Sequence, residues 1–245
     1  MDFEHIEASD LLRWAINTYG DKFALVTSFQ AEGMVLLDMA HQISNDVRVI
    51  TVDTGRLPAA THEMIERVRT HYGLRVEIAM PDPDEVEAMT WHHGPNLFYT
   101  DVPHRMLCCD VRKVRPLERK LARVKAWSVG VRRSQTEARR NVQRVEKIDH
   151  RLKLAPLADW SRQQVEDYLK QHDVPRHNLY AQGYTSIGCA PCTRQIDSGE
   201  GERAGRWWWE GEGAAKECGI HFSANGKMQR TVDVLLQEIL EAKVA

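Results

Sequence analysis

The sequence has no long apolar run, no excess of charge of one sign and few cysteines. No stretch approaches the ~18 consecutive apolar residues that a membrane-spanning helix needs. The formal net charge of −2 excludes a globally basic nucleic-acid binder. The first residues, MDFEHIEASDLLRWAI, are acidic and amphipathic, which is not the pattern of a secretory signal peptide. We therefore expect a cytoplasmic protein that contacts neither membranes nor nucleic acids.

The five cysteines that are present fall into an informative arrangement. Cys108 and Cys109 are adjacent, Cys189 and Cys192 form a C-x-x-C pair, and Cys218 stands alone. Cysteines of a reducing compartment serve more often as ligands or catalysts than as disulfides. An odd number also leaves one thiol unpaired in any disulfide scheme. The spacing predicts four thiols for a metal or iron–sulfur site and a fifth for chemistry.

The two cysteine pairs can complete a four-thiolate site, which is typical of zinc and of iron–sulfur clusters. Consecutive side chains on a regular helix diverge by ~100°, so Cys108 and Cys109 reach one centre only if the backbone is locally distorted. A cluster offers separate irons at its corners, which suits adjacent ligands better than a single zinc ion does. The residues alone favour the cluster and leave zinc open.

Short apolar runs alternate with helical patterns along most of the chain, which at 245 residues is one large domain or two small ones. Strands are predicted at 23–28, 47–52, 74–79, 126–131 and 152–157. Helices are predicted at 34–43, 58–71, from 82 onward, 161–172 and 231–242. The alternation predicts an α/β fold with a mainly parallel sheet and helices on both faces.

The character of the sequence changes after Val174. The stretch from Ser198 to Gly213 is rich in glycine and predicts a mobile segment without packed structure. We therefore divide the chain into an α/β domain at 1–185 and a C-terminal segment at 186–245. The adjacent Trp207, Trp208 and Trp209 fit three roles: an anchor for this segment, a subunit contact, or a contact with a partner protein.

Polar loops follow two of the predicted strands, where parallel sheets bind their ligands. The first is Thr27-Ser28-Phe29-Gln30-Ala31-Glu32-Gly33, and the second is Val52-Asp53-Thr54-Gly55-Arg56-Leu57. Hydroxyls, backbone N–H groups and a helix N-terminus suit a phosphate or sulfate. Each loop alone is equally well a helix cap, but their occurrence on consecutive strands favours an anion site.

At these loops the sequence resembles a known family. The segments TSFQAEGMVLLD and VDTGRL resemble the modified pyrophosphate-binding loop of the sulfonucleotide reductases, which are relatives of the ATP pyrophosphatases. The segments WSVGVRRSQ, LAPLADW and ECGIH and the two cysteine pairs are similar to further family motifs. The resemblance implies an adenine-nucleotide α-hydrolase-like fold. The Ser-Gly-Gly loop of ATP-cleaving relatives is absent, which fits binding of an adenylate without ATP cleavage.

The resemblance also implies roles for individual residues. It implies that Cys108, Cys109, Cys189 and Cys192 hold one [4Fe-4S] cluster per subunit, and that Cys218 is the catalytic nucleophile. The substrate-binding residues that it implies, or that the polar loops offer, are Thr27, Ser28, Thr54, Gly55, Arg56, Lys113, Gly130, Arg132, Arg133, Arg203, Arg206 and His221.

Around Cys218, the cationic Lys216 and His221 favour the reactive thiolate, whereas Glu217 opposes it. The reaction implied by the resemblance begins with attack of Cys218 on the sulfate sulfur of adenosine 5′-phosphosulfate. AMP leaves, and thioredoxin then releases sulfite from the Cys218 S-sulfonate. We also expect a homo-oligomer.

Three other functions are compatible with parts of the sequence. The first is the same reaction on the 3′-phosphorylated nucleotide, although family members specialised for that substrate lack the two cysteine pairs. The second is a tRNA-thiolating or ATP-pyrophosphatase enzyme, which needs the absent Ser-Gly-Gly loop. The third is a non-catalytic iron–sulfur sensor, which has no use for the Cys218 segment.

Overall fold

The computed structural model describes residues 2–211, 217, 232–237, 239 and 241. A six-stranded sheet lies at the centre of this part of the chain. Its strands are β1 (Phe23–Val26), β2 (Val49–Val52), β3 (Val76–Ala79), β4 (Ala126–Val129), β5 (Val145–Ile148) and β6 (Arg151–Leu154). The order across the sheet is β3-β2-β1-β4-β6-β5. All neighbouring strands are parallel except β5 and β6, which form an antiparallel pair at one edge.

Between residues 2 and 211, seven α-helices connect or flank these strands. They are α1 (Ala8–Tyr19), α2 (Ala31–Ile43), α3 (Ala59–Tyr72), α4 (Pro83–His93), α5 (Val102–Cys109), α6 (Arg115–Leu121) and α7 (Arg162–Gln171). Residues 232–237, 239 and 241 are also helical, in agreement with the helix predicted at 231–242. Within the described residues, no helix combines the length and the hydropathy required to cross a bilayer.

The two faces of the sheet pack against different helices. Alternate residues of a strand point to opposite faces, and accordingly Leu25 of β1 packs in a core cluster with α1, α2, α3 and α7. The neighbouring Ala24 packs in a second cluster with Leu117 and Leu121 of α6. Helices therefore cover both faces of a mainly parallel sheet, which confirms the predicted fold class.

The strand order reverses between β1 and β4. The chain runs from β1 outward to β2 and β3, and it then returns to place β4 on the other side of β1. The crevice beyond the carboxyl ends of strands at such a reversal is the usual ligand site of open α/β sheets. The topology alone therefore locates the candidate site after Val26 and Val129.

The prediction of a mobile, unpacked segment at 198–213 is wrong for its central part. Arg206 is buried and forms an isolated antiparallel bridge with Thr193. The backbone N–H of Arg194 donates to the Gly205 carbonyl at 2.9 Å. A Cβ on Gly205 would clash with the Arg194 carbonyl oxygen. Gly205 therefore permits close packing of two backbone segments, whereas the many glycines of this stretch led to the prediction of a mobile segment.

Trp207 fixes this segment to the body of the protein. Its side chain is only 1% exposed, and the guanidinium groups of Arg105 and Arg206 each lie 4.5 Å from its ring centroid. Trp209 packs on Tyr99 with ring centroids 4.4 Å apart. The anchoring role is therefore confirmed for these two tryptophans, whereas Trp208 is 40% exposed.

Replacing Trp207 with alanine should lower the free energy of unfolding by about 3–5 kcal/mol, because a fully buried indole leaves a cavity. The matched change Trp208→Ala should lower it by less than about 1 kcal/mol. Chemical denaturation followed by circular dichroism measures both values. Equal effects of the two substitutions would contradict the anchoring role of Trp207.

Candidate active site

A cleft opens at the reversal of strand order, as the topology predicts. Its floor is formed by the loop after β1, the start of α2 and the end of β4. Six of the substrate-binding residues predicted from the sequence line it, and they are Thr27, Ser28, Lys113, Gly130, Arg203 and Arg206. The structure thus brings together residues that are separated by more than 170 positions in the chain.

The loop between β1 and α2 presents its polar atoms to this cleft. The Thr27 hydroxyl accepts a hydrogen bond from the Phe29 N–H at 2.9 Å, which shapes the turn. Ser28 is exposed at the cleft surface, and its hydroxyl accepts from the Gln30 side chain at 2.9 Å. A Cβ on Gly130 would lie 2.8 Å from the Gly33 nitrogen. Glycine at 130 therefore lets the end of β4 approach the N-terminus of α2.

Basic side chains dominate the charge of the cleft wall. They are Lys113, Arg139, Arg162, Arg203 and Arg206. Acidic Glu32, Glu166 and Glu202 also line the cleft. Glu32 and Glu202 pair with the buried Arg132, at 2.7 Å and 2.9 Å, and Glu166 pairs with Arg176 at 2.7 Å. The cleft consequently suits a ligand that carries more than one negative charge.

Arg132 and Arg133 are predicted from the sequence to bind substrate, but the structure places both of them outside the cleft. Arg132 is 1% exposed, and its guanidinium is held by Glu32, Glu202 and the Ser134 hydroxyl. Arg133 donates to the Val142 carbonyl and to Asp159 and Glu4. Neither residue is part of the cleft lining. Their ion pairs instead join the segment after β4 to α2 and to the N-terminal residues.

The middle of the loop after β2, residues 54–56, also lies outside the cleft, although Val52 and Leu57 at its two ends line it. The Thr54 hydroxyl is 3.2 Å from the Cys189 sulfur, and the Arg56 carbonyl accepts from the Ala190 N–H at 2.8 Å. The Arg56 guanidinium donates to the Pro95 carbonyl and lies 5.0 Å from the Phe98 ring centroid. Gly55 has a φ of 70°, a left-handed conformation that favours glycine. Thr54, Gly55 and Arg56 therefore support the cysteine loop, where the sequence predicted substrate contacts.

The two cysteine pairs line one small cavity next to the cleft. Cys108 and Cys192 are buried, and Cys109 and Cys189 are half-buried. Burial, together with the Cys109 thiol, raises the pKa of Cys108 to about 12. Burial and the Cys189 and Cys109 thiols likewise raise the pKa of Cys192 to about 12, although Arg206 and Lys113 oppose the shift.

The donor set and its surroundings fit an anionic metal–sulfur group. Four converging thiols are the complete ligand set of a Cys₄ cluster, and coordination to a metal deprotonates a thiol even where burial disfavours the thiolate. The basic Arg105, Arg112 and Lys113 line the same cavity. Among the described residues, no three His, Cys, Asp or Glu side chains are arranged to hold a single metal ion. Four cysteines around one cavity that basic side chains also line therefore fit a Cys₄ cluster.

The helix that carries the adjacent cysteines is distorted directly after them, whereas the sequence predicts distortion at Cys108 and Cys109 themselves, which both lie in the regular helix α5. A π-helical segment, Asp110–Val114, follows Cys109 directly and leads into α6. Pro116 lies in the first turn of α6. A proline clashes with the carbonyl four residues before it and donates no hydrogen bond, so the wider π turn relieves the strain at Arg112. The same turn places Lys113 on the walls of both the cysteine cavity and the cleft.

Glu217 is the described residue nearest in sequence to the predicted nucleophile. Its side chain is bound by Arg139 at 2.7 Å and by Arg203 at 3.3 Å. Burial alone would raise the pKa of Glu217, but the hydrogen bond from Arg139 and the charges of Arg203 and Arg139 hold that pKa below its ordinary value. Cys218, His221 and Lys216 lie outside the described residues.

Sequence reasoning missed Arg105, Arg112, Arg139 and Arg162, which line the cleft or the cysteine cavity. Arg105 lies three positions before Cys108, and Arg112 lies three positions after Cys109, so helical periodicity could have placed them near the thiols. No such local signal marks Arg139, which lies in a run of many basic residues.

Comparison with solved structures defines the class of fold. A phosphoadenylyl-sulfate (PAPS) reductase from Candida auris has a TM-score of 0.65 at 27% identity, over 78% of this chain and 91% of that one. An FMN adenylyltransferase from Candida glabrata has a TM-score of 0.57 at 14% identity, over 91% of this chain and 80% of that one. The fold is thus adenine-nucleotide α-hydrolase-like, as the sequence predicts.

Sequence comparison then identifies the family. The model of the phosphoadenosine phosphosulfate reductase domain matches residues 22–195. A protein from Allochromatium vinosum named adenosine 5′-phosphosulfate reductase is 45% identical over 82% of this chain and 79% of its own length. A protein of the same name from Burkholderia cepacia is 44% identical over 89% of this chain and 88% of its own length. The chain belongs to the phosphoadenosine phosphosulfate reductase family.

Proposed function

We propose that this protein reduces adenosine 5′-phosphosulfate (APS) to sulfite and AMP, with thioredoxin as the reductant. The observation that carries the proposal is the junction of two sites through Lys113, which lines both a cationic cleft and the four-cysteine cavity. Relatives at 45% and 44% identity bear the name of this activity. The two cysteine pairs favour the unphosphorylated nucleotide over its 3′-phosphorylated form.

The cleft supplies binding and electrostatic stabilisation. The substrate phosphate is expected at the Ser28 loop, where hydroxyls and the N-terminus of α2 converge, and the sulfate is expected near Lys113, Arg203 and Arg206. Guanidinium groups bind such oxyanions through paired hydrogen bonds. The same charges stabilise the negative charge that develops on the leaving AMP.

The chemistry requires one nucleophile and one dithiol. The Cys218 thiolate attacks the sulfate sulfur, a sulfur–sulfur bond forms, and the sulfur–oxygen bond to the phosphate breaks, so that AMP leaves with the bonding pair. A thioredoxin thiolate then attacks the Cys218 sulfur, and sulfite leaves with the electron pair of the sulfur–sulfur bond. The second thioredoxin thiol resolves the mixed disulfide. One dithiol is oxidised to a disulfide, while the sulfur is reduced from the sulfate to the sulfite level.

We further propose that Cys108, Cys109, Cys189 and Cys192 hold one [4Fe-4S] cluster per subunit. When bound, this group supplies a fixed charge distribution beside Lys113, and the dithiol already supplies both electrons of the reaction. Burial of Cys108 and Cys192 protects the site from solvent. We also propose that the reaction takes place in the cytoplasm, and we retain the expectation of a homo-oligomer.

Protein purified without oxygen should contain about four irons per chain and should absorb broadly in the visible range. The variant Cys192→Ser should lose both the iron and the colour, because a hydroxyl is a poor substitute for a thiolate ligand. Metal analysis by mass spectrometry measures the content directly. A colourless wild-type protein with one zinc per chain would exclude the cluster.

Sulfite release is the direct assay of the proposed function. It is measured with APS and with the 3′-phosphorylated nucleotide, each with reduced thioredoxin present or omitted. We expect multiple turnovers with APS only when thioredoxin is present, and slower turnover with the 3′-phosphorylated form. Sulfite release from neither nucleotide would reject the proposal.

A further inference from the structure

The residue before the predicted nucleophile, Glu217, is bound by side chains from several parts of the described chain. Glu217 is 3% exposed. Its carboxylate accepts hydrogen bonds from Arg139 Nε at 2.8 Å and Nη2 at 2.7 Å. It also accepts from the Thr136 hydroxyl at 3.0 Å and from Arg203 Nη2 at 3.3 Å. These donors satisfy both carboxylate oxygens, which is the arrangement that a buried carboxylate requires.

The main chain of Glu217 is held from a second direction. Its carbonyl oxygen accepts from Arg105 Nη1 at 3.0 Å. Arg105 is completely buried, lies three residues before Cys108 on α5, and lines the cysteine cavity. Its guanidinium also pairs with Glu210 and stacks on Trp207. The cleft therefore holds the side chain of Glu217, while the helix that carries the cysteines holds its backbone.

We propose that Glu217 is a positioning residue, an anchor fixed at two points that orients the neighbouring Cys218 for attack on a substrate bound in the cleft. This inference rests on the proposed function, because it assumes that Cys218 is the nucleophile. Consecutive Cα atoms are ~3.8 Å apart, so fixing both the side chain and the carbonyl of Glu217 restricts the volume that Cys218 can reach. Such restriction accelerates attack by removing unproductive orientations before the reaction.

The anchor also changes the electrostatic role of Glu217. The sequence predicts that its charge opposes the Cys218 thiolate. The structure places two arginines, Arg139 and Arg203, on this single carboxylate, so its negative charge is compensated. Glu217 thus orients the segment without leaving an uncompensated negative charge beside the thiol.

A competing interpretation is that Arg139 and Arg203 bind the substrate, and that Glu217 only pairs with them until the substrate displaces it. The contacts of Thr136 and Arg105 favour the anchor, because neither residue lines the cleft in which the substrate is expected to bind. The two interpretations differ in their kinetics. Loss of an anchor slows the chemical step, whereas loss of a competitor tightens substrate binding.

The test compares Glu217→Gln and Thr136→Val with the control Glu137→Gln, which makes the same chemical change at an exposed glutamate of a neighbouring turn. The primary measurement is the rate of covalent S-sulfonate formation on Cys218 in a single turnover with APS and no thioredoxin. AMP affinity, thermal stability and the rate of Cys218 alkylation by iodoacetamide in nucleotide-free protein are measured alongside.

Glu217→Gln should slow adduct formation about 100-fold, the effect of a small displacement of a reacting group. Thr136→Val removes one hydrogen bond and should slow it about threefold to tenfold. Both variants should show faster alkylation of Cys218 and unchanged AMP affinity, and Glu137→Gln should match the wild type.

Unchanged adduct formation in Glu217→Gln, or tighter substrate binding with an unchanged rate, would overturn the anchor. A parallel fall of AMP affinity and thermal stability would also overturn it, because it would indicate a general structural role. Absence of any adduct in the wild-type protein would instead reject the proposed function, so the two failures are distinguishable.

Discussion

Replacing Cys218 with serine should lower the rate of sulfite release by about 10³-fold or more, as expected when a covalent nucleophile is removed. A serine hydroxyl remains protonated under conditions in which a thiol beside cationic groups forms the reactive thiolate. The variant should keep wild-type AMP affinity and iron content, because the described residues of the cleft and of the cysteine cavity are unchanged.

The measurement uses radiolabelled APS, with sulfite release followed under steady-state conditions and label on the protein followed without reductant. The described cysteines provide the control: Cys218→Ser should retain the colour of the protein, whereas Cys192→Ser should lose it. Turnover by Cys218→Ser within tenfold of wild type would show that another group performs the attack.

Replacing Lys113 with alanine should lower kcat/KM for APS by about 10²–10³-fold, the usual cost of removing one group that stabilises developing charge. Lys113 lines the cleft and the cysteine cavity together, and its charge lowers the pKa of Cys192 against the larger effect of burial. Its position on the π-helical segment gives it this double contact.

The conservative variant Lys113→Arg should recover part of the lost activity, since it restores the charge but not the shape of the ammonium group. The control is Lys120→Ala, because Lys120 pairs with Glu77 at 3.3 Å and does not line the cleft. Steady-state kinetics with APS gives the comparison, and metal analysis verifies iron content. Equal activity of Lys113→Ala and Lys120→Ala would show that Lys113 has no role in binding or converting APS.

The sequence predicted most of the fold because the parallel strands carry a strong local signal. Buried strands such as Phe23–Val26 are apolar on both faces, which is typical of a sheet covered by helices. The edge strand Val145–Ile148 was missed because half of its residues are charged and it is only partly buried. The helix Ala8–Tyr19 was recognised as an amphipathic sequence but not assigned as a helix.

Sequence predicts those residues of the candidate site that the strand topology places in the cleft. It does not predict those whose position depends on ion pairs between distant parts of the chain. Ser28 and Gly130 follow strands that flank the reversal of strand order, so their sequence positions already place them in the cleft. Arg132 and Arg139 are both arginines after the same strand, and sequence does not reveal which one pairs with Glu32 and which one lines the cleft. That choice is made by tertiary contacts.

The conformation of residues 205–207 was likewise not predictable from local sequence. Its glycines and charges predict mobility, yet Arg206 is buried beside Cys192, where Arg206 Nε donates to the Cys192 carbonyl at 3.1 Å. A long side chain stacked on an indole can be buried when its charged end is satisfied. Neither the stack nor the hydrogen bond has a signature in local sequence.

The central claim is that Cys218 carries the sulfonate during turnover, and mass spectrometry of the Cys218 peptide tests it most directly. Protein mixed with APS in the absence of thioredoxin should gain the mass of one SO₃ group on Cys218 and release an equal amount of AMP. Addition of reduced thioredoxin should remove that mass and yield sulfite. We expect this adduct on Cys218 alone. Release of AMP without any covalent adduct would contradict the role of Cys218 as the nucleophile.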